Sequence, residues 1–217
     1  MLTERIYLLF EIMALLACLI RLGKLRPQLL RWFLVLLLLV NAVEWGTFFR
    51  LYKINNSNNW IFNLLNAFQF IFYAGIYYRL LGSARARKYV AASCVILVLA
   101  IGVNIAFLQG IRSFNSYTFI AGCACTVYWS YLYLMQQVEN METPGFTNDP
   151  FFWISIGLMI FHAGEFFLMS FFQYFSAINE FGHFFSVFSV CSNLLNAILY
   201  TCLTIAFFCR RTPQNLL

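Results

Sequence analysis

The sequence predicts an all-α polytopic membrane protein with seven transmembrane helices, an outside N-terminus and a cytoplasmic C-terminus. Of its 217 residues, 62% are hydrophobic and only 10% are charged, a balance far from that of soluble domains. The mean hydropathy is +0.76. The apolar residues fall in stretches of roughly 20, which is the length of helix that crosses a hydrocarbon core about 30 Å thick.

Seven such stretches follow one another along the chain. They cover residues 6–22, 29–49, 59–81, 89–108, 115–137, 150–174 and 182–208. The first lacks a small-residue cleavage pattern, so we expect a retained helix rather than a signal peptide. The sixth should begin at Pro150, because Asn148-Asp149-Pro150 is typical of a helix cap followed by a first-turn proline. The stretches use nearly the whole chain, so residues 1–217 are expected to form a single transmembrane domain.

Basic residues set the predicted orientation, because Lys and Arg beside a span are retained on the cytoplasmic side. Ten of the 14 fall in the connections between helices 1 and 2 and between helices 3 and 4, and in the C-terminal tail. They are Arg21, Lys24, Arg26, Arg31, Arg79, Arg85, Arg87, Lys88, Arg210 and Arg211. The opposite side has Arg5, Arg50, Lys53 and Arg112. This imbalance requires an odd number of spans, which agrees with seven.

The connection between helices 5 and 6, QVENMETPGFTNDP, has no Lys or Arg and three acidic residues. Acidic residues weigh little in the orientation rule, so the connection keeps its predicted place on the cytoplasmic side. As the longest connection, it is the best candidate for contact with a cytoplasmic partner.

Polar side chains lie three or four residues apart within the spans and therefore share helix faces. They are Glu11 in helix 1, Asn41 and Glu44 in helix 2, Asn63 and Asn66 in helix 3, His162 and Glu165 in helix 6, and Asn193 and Asn196 in helix 7. Unpaired polar groups are costly in lipid, so these faces should turn toward one another or toward enclosed water. With the N-terminus outside, most of them fall at the membrane midplane or outward of it.

These positions predict a polar pocket in the outer half of the bundle that binds a ligand or an ion. Asn side chains also join transmembrane helices by packing alone, at about 0.6 kcal/mol per interaction, so a single Asn does not establish a site. A carboxylate among apolar residues is a stronger signal of function. We expect His162 and Glu165, one turn apart, to share a hydrogen bond or a proton and to face the pocket.

Several function classes disagree with the sequence. A retinal protein needs a Lys in its last span, and no Lys follows Lys88. Seven-helix zinc hydrolases resembling adiponectin receptors use several histidines, whereas this chain has two. No catalytic motif of the H-E-x-x-H, G-x-S-x-G or phosphate-cradling type occurs. We therefore predict no catalytic residues, metal site or cofactor, and no nucleic-acid binding.

Three segments, NSNNWIFNLLNAFQFIFYAGIYYRLL, NDPFFWISIGLMIFHAGEFF and SNLLNAILYTCLTIAFFCR, resemble those of a group of small seven-helix bacterial membrane proteins. Genes of that group often lie near sensor histidine kinases. The resemblance implies an accessory role in signalling, with a histidine kinase or another signalling protein as partner. It carries no activity onto particular residues.

The preferred hypothesis is an integral membrane sensor in the lipid bilayer of the cell membrane, taken to be a bacterial inner membrane. This receptor-like module would signal from its outward-facing pocket to a separate cytoplasmic or membrane effector. The alternative is a transporter or channel for a proton, a cation or a small polar solute, and an intramembrane enzyme comes third. All four prolines lie in loops or at helix starts, and unbroken helices favour the receptor over a rocking carrier.

Overall fold

The computed structural model describes residues 6–25, 28–54, 57–139, 146–177 and 181–209. These residues form seven α-helices. They are α1 (Tyr7–Arg21), α2 (Gln28–Phe48), α3 (Asn59–Leu80), α4 (Ala84–Val103), α5 (Ser116–Glu139), α6 (Pro150–Ala177) and α7 (Phe181–Phe208). A π-helical turn, Asn104–Leu108, extends α4. Arg5, Arg26, Arg210, Arg211 and residues 140–145 of the long connection lie outside the described residues.

The described helices match the predicted stretches closely, and the main differences have local causes. Helix α4 begins at Ala84 rather than 89, because the Ser83 hydroxyl caps it by accepting a hydrogen bond from the amide of Ala86. The added turn carries basic residues that the apolar pattern leaves out. The predicted start of α6 is confirmed at Pro150, where Oδ1 of Asp149 accepts from the amide of Phe151 at 2.9 Å.

The helices pack as a ring. Helix α7 lies between α6 and α1, and the ring continues from α1 through α2, α3 and α5 back to α6. Helix α4 packs against both α3 and α5, which also contact each other, so α4 lies on the outside of the ring. This order encloses a space whose lining includes residues of α2, α3 and α7, with α1 contributing at one end and α6 deeper in the ring.

The bundle has an apolar surface and polar residues in its interior. Large apolar side chains such as Leu99 and Val190 are 65% and 68% exposed, whereas Glu11, His162 and Glu165 are buried. Apolar exposure on this scale is unusual in a soluble monomer and is expected for a surface that faces lipid.

Five of the described helices are long and apolar enough to cross a membrane. They are α2, α4 with its π-helical turn, α5, and the segments Pro150–Phe175 of α6 and Phe185–Phe208 of α7. Helix α1 has only 15 residues. Helix α3 has 22 residues, but its Asn, Gln and Tyr side chains lower its hydropathy. The structure confirms an all-helical bundle with five helices long and apolar enough to cross a membrane. That all seven helices cross it remains a prediction.

Two glycines bring α6 and α7 close together. A Cβ at Gly157 would lie 2.8 Å from Cβ of Cys202, and a Cβ at Gly164 would meet the side chain of Leu195. Both glycines lie on α6, seven residues apart, and therefore on one face. Small residues at such positions let helix backbones approach closely in a membrane, where packing replaces the hydrophobic effect as the main driving force.

Gly157→Ala should lower the melting temperature of the purified protein, because the added methyl group overpacks the α6–α7 contact by about 1–3 kcal/mol. Gly75→Ala is the matched control, since a Cβ at Gly75 meets open space. Alanine is the better helix former by about 0.5–1 kcal/mol, so Gly75→Ala should leave the melting temperature unchanged or raise it. An equal response of the two variants in a thermal unfolding assay would contradict the close approach of α6 and α7.

Candidate functional site

Two adjoining cavities lie inside the ring toward the Tyr7 end of the bundle, where α1, α3 and α7 begin and α2 ends. The end cavity, of about 560 Å³, includes Tyr7, Glu44 and Asn193 in its lining. The central cavity, of about 420 Å³, lies deeper and includes His162, Glu165 and Tyr200. Both volumes are in the range of small-molecule sites. The two linings share Glu44, Phe62, Phe188, Ser192 and Asn196.

Glu44 lies where the two cavities meet. It is one turn before the end of α2, and its Oε2 accepts a hydrogen bond from the hydroxyl of Tyr7 at 2.8 Å. The bond joins the first turn of α1 to the last turn of α2. Glu44 therefore presents a carboxyl group to both cavities while it holds two helices together.

Glu165 and His162 reach the central cavity from α6, but the structure does not confirm the expected bond between them. Oε1 of Glu165 instead accepts from the hydroxyl of Ser192 on α7 at 2.7 Å. Nδ1 of His162 lies 3.4 Å from Sγ of Cys123 on α5, and its Nε2 has no hydrogen-bond partner among the described residues. His162 thus contacts α5 and Glu165 contacts α7. A spacing of three residues places two side chains on one face but does not determine which neighbouring helix each of them contacts.

Aromatic rings surround His162. Its ring centroid lies 5.0 Å from that of Phe161 and 5.8 Å from those of Phe70 and Tyr73. The imidazole is 3% exposed and Glu165 is 4% exposed. This wall of the cavity therefore combines two buried titratable groups with ring faces and edges.

Helix α7 supplies the amide side chains of the site. The Nδ2 groups of Asn193 and Asn196 donate to the carbonyls of Ser189 and Ser192, at 2.7 and 2.9 Å. These bonds stay within the helix and use an amide donor of each residue. Asn196 retains its acceptor oxygen and the second N–H of its amide for an occupant of the cavities.

Six of the nine predicted site residues line the cavities. They are Glu44, Asn66, His162, Glu165, Asn193 and Asn196. Asn63, Asn41 and Glu11 do not line either one. Asn63 donates to the carbonyls of Ile111 and Ser113 and accepts from the amide of Asn115, so it fastens the α4–α5 connection. Asn41 bonds to the carbonyl of Leu37 in its own helix.

Glu11 is fully buried, and neither carboxyl oxygen has a hydrogen-bond partner among the described residues. It interacts electrostatically with Glu44 and with Tyr200, so it lies behind the wall of the cavities rather than in it. A buried polar group without a partner costs about 1–3 kcal/mol, and the chain accepts this cost close to the candidate site.

The prediction missed Tyr7 and Ser192, the hydroxyl donors to the two cavity carboxyl groups. Both had a signal in the sequence. Tyr7 lies four residues before Glu11, on the same face of α1. Ser192 lies four residues before Asn196 and three after Ser189, which places it on the polar face of α7.

Among the described residues, no group of three or more His, Cys, Asp or Glu side chains is arranged to hold a metal ion. Cys123 is buried against His162, whereas Cys125 is only partly buried, so the two ends of the C-x-C sequence have different surroundings. Comparison of the chain with protein-family models, with curated proteins and with solved structures finds no match.

Asn63→Ala should lower the melting temperature, because it removes three hydrogen bonds to the α4–α5 connection, at about 1 kcal/mol each. Asn66→Ala is the matched control, since Asn66 lines the central cavity and makes no hydrogen bond that we find among the described residues. Its melting temperature should stay near that of the wild type. A larger loss for Asn66→Ala would contradict the structural role given to Asn63.

Glu11→Met should raise the melting temperature, because it removes a buried carboxyl group that has no hydrogen-bond partner among the described residues. The free energy of unfolding should increase by about 1–3 kcal/mol. Glu11→Gln keeps a polar group in place and should not give this gain. Thermal unfolding of the two variants beside the wild type measures the difference. A large loss of stability in Glu11→Met would show that the carboxyl group supports the fold.

Proposed function

We propose that this chain is a receptor-like integral membrane module that spans the bilayer seven times and binds a small polar solute in its end and central cavities. The N-terminus and the cavities face the outside, and the C-terminus faces the cytoplasm of a bacterial cell. The bound state is passed to a separate effector. The observation that carries the proposal is a pair of adjoining cavities lined by two carboxyl groups, an imidazole and five Asn, inside an apolar-surfaced bundle.

Seven crossings are supported by the outward faces of the two remaining helices, α1, which is short, and α3, which is less apolar. On α3, the exposed large apolar residues are Leu64, Phe68 and Ile71, while Asn63 and Asn66 point to other protein groups or to a cavity. On α1, Leu9, Leu16 and Ile20 are exposed and Glu11 is buried. A helix of 15 residues spans about 22 Å, and the lipid can thin by a few ångströms around it.

The orientation is supported by the basic residues at the two ends of the bundle. Arg50, Lys53 and Arg112 lie in the connections at the Tyr7 end. The described basic residues of the opposite end are Arg21, Lys24, Arg31, Arg79, Arg85, Arg87 and Lys88. The positive-inside rule then places the cavities on the outer side.

A receptor is favoured over a transporter by the closed floor of the central cavity. Beyond the cavity, toward the opposite end, the ring is filled by large apolar side chains. Phe33, Phe151, Leu158 and Phe207 are each no more than 1% exposed. A carrier would need to part this layer, and the described spans run as unbroken helices through their glycines, without the breaks found in transporter helices near the midplane.

The effector is proposed from two weaker lines of support. The resemblance to proteins encoded near sensor histidine kinases makes a histidine kinase, or another signalling protein, the partner to test. The end opposite the cavities carries most of the described basic residues, together with the end of α5 and the start of α6, and would be available to a cytoplasmic partner.

Purified protein in proteoliposomes should move neither protons nor charge when pH-sensitive and potential-sensitive dyes are followed under imposed gradients. Glu165→Gln should be equally silent. Glu139→Gln is the matched control, because Glu139 is exposed at the end of α5 and lines neither cavity. Flux in the wild type and in Glu139→Gln that Glu165→Gln abolishes would overturn the receptor proposal in favour of a transporter.

A further inference from the structure

The lining of the two cavities combines two carboxyl groups with other hydrogen-bond acceptors. Carboxyl groups come from Glu44 and Glu165, while no described lining residue is Lys or Arg. The hydroxyls of Tyr7 and Ser192 already donate to these two carboxyl groups. An occupant that supplies further donors and a positive charge would complement these carboxyl groups, whereas an anion would find no Lys or Arg among the described lining residues.

A second feature points to the same kind of occupant. Two Phe side chains, Phe62 and Phe188, line both cavities, and the central cavity adds Tyr73, Phe161 and Tyr200. The faces of aromatic rings attract cations, with the largest effect where water is excluded. Carboxyl groups among aromatic rings therefore form a setting that suits a positively charged group on an apolar body.

The lining of the central cavity also includes an imidazole nitrogen, Nε2 of His162, whose hydrogen-bonding position is open among the described residues. His162 lines the central cavity and is only 3% exposed. Its Nε2 has no hydrogen-bond partner among the described residues. A buried side chain with an open hydrogen-bonding position is costly unless something fills that position. This observation is independent of the carboxyl groups and indicates that the site is built for an occupant.

We propose that the occupant of the paired cavities is a small organic cation, a protonated amine with an apolar body. Its ammonium group donates to Glu165 and Glu44, and its apolar part lies against the aromatic residues. This inference rests on the proposed binding function and specifies the class of ligand. The combined space of about 560 and 420 Å³ accommodates an amine of the size of an aromatic ethylamine.

The test is a titration of purified protein with matched probes that share one body and differ in one group. Phenethylamine and tryptamine are the amines, phenylethanol and tryptophol the neutral alcohols, and phenylpropionate and indole-3-propionate the acids. Isothermal titration calorimetry should give each amine an affinity at least about 10-fold above that of its alcohol, which is the effect of one hydrogen bond to a charged group. The acids should bind more weakly than the alcohols.

Glu165→Gln should remove this preference by lowering amine affinity about 10-fold while leaving alcohol affinity unchanged. Glu139→Gln, the same change at an exposed position, should bind all probes as the wild type does. Both variants are first compared with the wild type by thermal unfolding, and Glu165→Ala and Ser192→Ala provide second changes at the site if Glu165→Gln does not fold.

Each outcome has a separate meaning. Binding of alcohols or acids at least as tight as that of amines would overturn the amine proposal and leave a binding function in place. Failure of all six probes to bind folded protein would overturn both. An amine preference lost in Glu165→Gln, together with uptake of the amine into proteoliposomes, would support the ligand class while it overturned the receptor.

Discussion

The structure depends on one constraint, which is that polar groups inside a hydrocarbon layer must find their partners within the protein. Two helices of this chain, α3 and α7, carry polar residues along most of their length, and α1, α2 and α6 carry buried Glu, Asn or His. None of these faces can be left against lipid without cost. The ring of helices satisfies the constraint by turning the faces inward, and the apolar faces that remain form the surface of the bundle.

The same constraint explains why the interior is not simply packed shut. Polar side chains of the interior either bond to one another, as Tyr77 does to Ser130 and Ser155, or border enclosed space, as Glu44, Glu165 and Asn196 do at the Tyr7 end. The opposite end, filled by residues such as Phe33 and Phe207, is close-packed. The bundle is therefore open to an occupant at the Tyr7 end and closed at the opposite end. The proposed receptor function follows from this difference.

The bonds at the site also link it to the helices that would transmit a signal. Tyr7 joins α1 to Glu44 of α2, and Ser192 joins α7 to Glu165 of α6. An occupant that donates to the same carboxyl groups would share them with these hydroxyls. In the proposed function, binding therefore acts on two helix–helix contacts, one of which lies close to the Gly164 approach between α6 and α7.

Helix number, helix bounds and six residues of the candidate site could be predicted because they follow from spacing along the chain. The period of Asn193 and Asn196 identifies a face, and Asp149-Pro150 fixes a helix start. Partners across helices could not be predicted, since they depend on how the helices rotate against one another. This is why His162 and Glu165, neighbours in sequence, have Cys123 and Ser192 as partners.

Asn63 is a second residue whose role could not be predicted from spacing along the chain. It lies one turn from Asn66 and has the same residue type, yet it binds the α4–α5 connection while Asn66 lines the central cavity. The path of a connection is set by the distance between two helix ends, which periodicity does not contain. Sequence spacing thus predicts which face is polar, and tertiary packing decides which of its residues hold the fold and which line a cavity.

The most direct test of the account is thiol labelling of α7 in intact cells. Ser189 and Asn196 line the cavities, whereas Val190 and Leu194 are 68% and 60% exposed on the apolar surface. Each is changed singly to Cys in a variant whose seven native cysteines are replaced, and a membrane-impermeant thiol reagent is added. The account predicts labelling at positions 189 and 196 and none at 190 and 194. Labelling confined to 190 and 194, or labelling of 189 and 196 only from the cytoplasmic side, would contradict an outward-facing polar pocket.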